Sequence, residues 1–126
     1  MARILSLGSS ADELEPHLVA LTTFEQQVWH YADPLEALKV ALDHRFHLIV
    51  IDHEYVKDSA QTQALFRCLL PKTPILVLTP FGAPRNRKNF GGDYLMSKDD
   101  RISDFMSLVE SLTNRAANLS SLLAAV

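Results

Sequence analysis

Only one cysteine, Cys68, occurs in the 126 residues. That excludes a disulfide framework and any multi-cysteine zinc site. Four glycines, at 8, 82, 91 and 92, are too few and too dispersed for a glycine-rich dinucleotide fingerprint. Twelve basic residues stand against fifteen acidic ones, a net charge of -3, and that is not the basic balance of a nucleic-acid binder. No apolar run approaches the roughly 18 residues of a membrane span. The N-terminus lacks a signal-peptide pattern. These absences predict a cytoplasmic domain with no membrane partner and no direct nucleic-acid contact. The five histidines, His17, His30, His44, His47 and His53, are scattered, and no metal site is expected from them.

What the chain does have is alternation. Ala2–Leu7 is apolar and stops at Gly8-Ser9-Ser10. Residues 11–24 carry Leu14, Leu18 and Leu21 at helical spacing, and Val28–Tyr31 is β-branched and aromatic. Asp33-Pro34 reads as the cap and first residue of a helix whose face is expected to be Leu35, Leu38 and Leu42. Leu48-Ile49-Val50-Ile51 is continuously apolar, as in a strand covered on both faces. Residues 59–70 predict a helix with Leu65, Cys68 and Leu69 inward; Ile75–Leu78 predicts another buried strand; Tyr94–Met96 predicts a shorter one. From Ile102 the pattern is helical, while residues 81–92 leave room for little more than a turn or two of helix. Strands alternating with helices imply an α/β fold with a parallel, doubly wound sheet and right-handed crossovers.

In such a sheet chemistry gathers at the carboxyl ends of the strands. There the sequence places Gly8 and Ser9 after the first strand, Asp52 and Glu54 after the third, Thr79 after the fourth, and Ser97, Lys98 and Asp99 after the fifth. An acid, a hydroxyl and an amine in that order resemble the receiver domain of bacterial response regulators. The resemblance is carried by Arg3–Leu7, His47–Asp52, Thr73–Thr79 and Gly91–Lys98. It implies a flavodoxin-like three-layer sandwich with strand order 2-1-3-4-5. It also divides the chain into a receiver-like domain over 1–114 and, over 115–126, a helical extension or the start of a linker. By resemblance Asp52 is the phosphoacceptor position, with Thr79 and Lys98 as phosphate contacts.

The sequence departs from that family where the metal belongs. Gly8 and Ser9 occupy the place of an acidic pair, Glu54 offers one carboxylate, and Asp12 and Glu13 fall inside the next helix. Hard cations take charged oxygen ligands. Tyr94 and Lys98 are four residues apart where the family has three, so either Ser97 holds the lysine position or a bulge restores Lys98. Val56 stands for a proline expected after the third strand's loop. The expectation is a degenerate receiver: not an enzyme, with no cofactor, Asp52 vestigial, and regulation through a protein partner or an attached output domain. Gly8→Asp with Ser9→Asp is expected to rebuild a cation site. One alternative is a working phosphoacceptor using magnesium. Another is a small-anion or nucleotide site on the Gly8 loop. Arg85-Asn86-Arg87-Lys88 is a candidate docking patch. In the last helix Val109, Leu112, Ala116, Leu119 and Leu123 continue a 3.5-residue seam that suggests a homodimer.

Overall fold

The computed structural model describes residues 2–9, 16–23, 27–83 and 90–124, those from 115 onward by backbone alone. Strands β1 (Arg3–Leu7), β2 (Gln27–Tyr31), β3 (Leu48–Asp52), β4 (Ile75–Thr79) and β5 (Tyr94–Ser97) alternate with helices α1 (Pro16–Thr23), α2 (Pro34–Asp43), α3 (Ser59–Leu69) and α4 (Ile102–Ala124). All strand pairs are parallel and the order is β2-β1-β3-β4-β5. Leu14, Asp12, Glu13, Ser10 and the Arg85–Lys88 patch lie outside the described residues, as does most of the stretch where a turn or two of helix was expected.

The strands' two-residue period sorts the core into two layers. Leu5, Leu7, Ile49, Ile51, Ile75 and Val77 face one side and pack with Ala37, Ala41 and Phe66 of α2 and α3. Ile4, Leu48, Val50, Leu76 and Leu78 face the other and pack with Leu21 of α1 and Phe105, Met106, Val109 and Leu112 of α4. Every residue of β3 and β4 is buried, as continuous apolar runs in a doubly covered sheet require. Val56, where the proline was expected, is buried in the first layer.

Three helical expectations need correction. On α2 the predicted cap holds, with Asp33 Oδ1 accepting from the Leu35 N–H at 3.0 Å. The buried face, however, is Ala37 and Ala41; Leu35 and Leu42 are exposed. On α3 the buried residues are Ser59, Thr62, Gln63 and Phe66, while Leu65, Cys68 and Leu69 are exposed. Phe66 supplies more apolar area than a leucine, and Gln63 can be buried beside it because its amide donates to Ser59 Oγ at 3.0 Å and Phe90 O at 2.8 Å. On α4, Val109 and Leu112 are core residues, so the 3.5-residue seam begins as sheet packing rather than as a dimer face. The side chains of Ala116, Leu119 and Leu123 lie outside the described residues.

Candidate functional site

Four strand ends converge on Asp52. Its carboxylate is buried, and Oδ1 accepts from the Glu54 N–H at 3.2 Å while Oδ2 lies 2.9 Å from Lys98 Nζ. The same ammonium lies 2.9 Å from Glu54 Oε2 and 4.7 Å from the centre of the Tyr55 ring. Its positive charge is thus held between two carboxylates and against an aromatic face. The Lys98 side chain is 1% exposed and the Glu54 side chain 45% exposed. Lys98 is therefore a buried ion-pair partner.

Lys98, not Ser97, holds the amine position. No bulge is needed. Residues 94–97 pair one-to-one with 76–79, Lys98 N donates to Thr79 O at 3.0 Å, and the long side chain reaches back from the first residue beyond the strand. Ser97 is instead part of the turn, accepting from Asp99 N at 3.0 Å. Thr79 is fully buried and its hydroxyl donates to Met96 O at 3.4 Å, which turns it toward the backbone of β5.

At the end of β1, Gly8 and Ser9 are buried. A Cβ on Gly8 would lie 3.2 Å from Asp52 Cβ and 3.5 Å from His30 Cε1. His30, a residue the sequence reading did not single out, comes from the edge strand β2 and stands beside Ser6 in register. Its Nε2 lies 2.6 Å from Ser9 O and its Nδ1 3.0 Å from Ser6 Oγ. A carbonyl only accepts, so Nε2 donates; in the neutral ring Nδ1 then accepts from the Ser6 hydroxyl. The signal for this pair was present in the sequence: Ser6 follows Ile4 and His30 follows Val28 at the inward-facing period of their strands. A cavity of about 10 Å³ remains among Ser6, Ser9, His30, Asp52 and the apolar Leu18, Leu21, Val50 and Leu78. It has room for about one water and not for a phosphate. Ser9 Oγ is buried there without a hydrogen-bond partner among the described residues.

A five-stranded parallel sheet of this order, with a carboxylate and an amine paired above it, defines the chain's class: it has the receiver-domain fold of response regulators. The chemotaxis response regulator CheY4 of Vibrio cholerae is similar at 24% identity and a TM-score of 0.71, over 89% of this chain and 98% of that one. The receiver domain of the sensor histidine kinase PA1611 from Pseudomonas aeruginosa, solved with magnesium in its active-site cleft, is similar at 18% identity and a TM-score of 0.74, over 90% of this chain and 98% of that one. NtrX of Brucella abortus, in complex with ADP, is similar at 15% identity and a TM-score of 0.78, over 99% of this chain but 29% of that one. No protein-family model and no curated protein matches the chain.

The residues at this site do not fit magnesium. The strand-one positions carry no carboxylate, Asp52 and Glu54 are both engaged by Lys98, and no cluster of three His, Cys, Asp or Glu residues suited to a metal occurs among the described residues. A divalent cation would have to displace an ammonium that already neutralises the two acids.

Proposed function

We propose that this chain is a receiver-fold regulatory module whose phosphoacceptor site has become a permanent ion-pair cluster, so that it signals through protein contacts and not through magnesium-dependent phosphorylation. It is a binding module and not an enzyme. The observation that carries this reading is the buried Lys98 ammonium, 2.9 Å from both Asp52 Oδ2 and Glu54 Oε2. In phosphoryl transfer, positioning and charge neutralisation at the phosphate oxygens do most of the work. Here the cation needed for that is replaced by a lysine bound directly to the would-be nucleophile. The partner is an output domain joined to the chain or a separate protein in the same signalling system. The helical backbone of α4 continues to Ala124. No described helix is long and apolar enough to cross a membrane.

The test is incubation of the full chain with a small phosphodonor and millimolar magnesium, read by intact mass. No phosphoryl adduct is expected. A magnesium-dependent adduct that disappears in Asp52→Asn would overturn the reading and restore a working phosphoacceptor.

A further inference from the structure

α2 and α3 lie side by side on one face of the sheet, and together they expose four leucines: Leu35 at 64%, Leu42 at 60%, and Leu65 and Leu69 at 43% each. Their directions can be read from neighbouring side chains. Gln63 reaches Phe90 O and Arg67 reaches Asp93, so that flank of α3 faces β5. Leu65 and Leu69 are on the opposite flank, which faces α2. Both helices run antiparallel to the strands, and each residue advances about 100° around the axis. The offset that turns Gln63 and Arg67 toward β5 therefore turns Leu38, Leu42 and Leu35 of α2 toward α3. The exposed leucines of the two helices thus occupy the flanks turned toward each other.

The rest of this face is unusual for a helix in water, which ordinarily carries charge on its outer side. From Ser59 to Phe66 α3 has no charged residue. On α2 the outer edge carries Glu36 and Lys39, one turn apart and both exposed. That pair is self-complementary: if two α2 helices meet antiparallel about a two-fold axis between these positions, Glu36 of each lies opposite Lys39 of the other. An isologous contact requires such a pattern. Two helices of 10 and 11 residues make a face about 15 Å long and 20 Å wide. Two such faces amount to about 600 Å² before side-chain relief is added, the low end at which only weak, reversible association is expected.

We infer that a second copy of this chain covers the α2–α3 leucine face, giving a weak two-fold dimer with Glu36 and Lys39 reciprocally paired across it. The contact is separate from the Asp52 cluster and does not depend on how that cluster works. It also differs from pairing through α4.

Sedimentation velocity on the full chain from about 5 to 500 μM, the range of a weak dissociation constant, is the test. A concentration-dependent dimer is expected. Leu65→Glu with Leu69→Glu should leave a monomer throughout, with a thermal melt confirming that these exposed substitutions leave the fold intact. Lys39→Glu alone should weaken association about threefold to tenfold, from two lost surface pairs and their repulsion; Glu36→Lys added to it should restore association. A wild-type chain that stays monomeric overturns the inference. So does a dimer that survives Leu65→Glu with Leu69→Glu, or one abolished by Leu119→Glu with Leu123→Glu, which would place the contact on α4.

Discussion

Lys98 and Asp52 are joined across a strand that belongs to neither. Asp52 ends β3, Lys98 follows β5, and β4 runs between them, yet Nζ and Oδ2 are 2.9 Å apart. The lysine stem spans the end of β4, and the pair fastens the outer part of the sheet to its centre. Removing one member of a buried pair strands the other. Lys98→Met should therefore destabilise the domain by about 3 kcal/mol. Asp52→Asn with Lys98→Met should cost much less than the sum of the two single changes. Urea unfolding of the four-member cycle checks both statements.

Gly8 sits too close to Asp52 for a side chain to be added freely. A Cβ there would lie 3.2 Å from Asp52 Cβ, and Asp52, held by Lys98 and by the Glu54 N–H, is not free to give way, so Gly8→Ala should destabilise by about 1 kcal/mol. For the same reason, Gly8→Asp with Ser9→Asp should not by itself rebuild a cation site, contrary to the expectation from sequence. Isothermal titration with magnesium should show no saturable binding by this double variant.

His30 holds the end of β1 through two hydrogen bonds, to Ser6 and Ser9. His30→Ala would leave a buried hydroxyl and a carbonyl without that partner, at a cost of about 1–3 kcal/mol. Hydrogen exchange is expected to rise at Gly8 and Ser9 more than at β4, because the lost bonds are local to β1's end.

His47 gives the domain a pH dependence. Its Nδ1 accepts from the Arg3 N–H at 3.0 Å, and its pKa lies below the ordinary 6.5 because burial disfavours the charged ring and Arg45, then Arg3, repel it. A group that protonates less readily when folded binds more protons in the unfolded chain. Its contribution is complete above pH 6.5 and is lost as the pH falls through 6.5 toward the folded value. Stability should fall over that interval, and the slope should be smaller in His47→Asn, whose carbonyl can still accept from Arg3. Thermal melts at a series of pH values give the comparison.

The strands were legible because continuous apolar runs such as Leu48–Ile51 leave no other placement for their backbone. The helices were less so. On α2 and α3 the leucine spacing predicts a leucine inward face, but in the fold alanines, Phe66 and a hydrogen-bonded glutamine lie against the sheet while Leu35, Leu42, Leu65 and Leu69 stand outside. On α2 close packing on the sheet favours the small Ala37 and Ala41, whereas on α3 the single large Phe66 fills the space that leucines would have taken. At the site, Asp52 and Lys98 could be named from their strand ends. Tyr55 could not: its ring meets the Lys98 ammonium from the loop after β3, and no local spacing announces it.

Val50 and Ile51 are chemically joined but lie in different packing layers, one against α4 and the other against the α2–α3 side. The sheet therefore acts as a partition. Trimming Val50 and Ile51 together should report on two nearly independent compartments, whereas trimming Val50 and Leu76, far apart in the chain but within one layer, should show coupled losses. In this molecule, distance along the chain is a poor guide to which residues share a mechanical fate, and odd or even position on a strand is a good one.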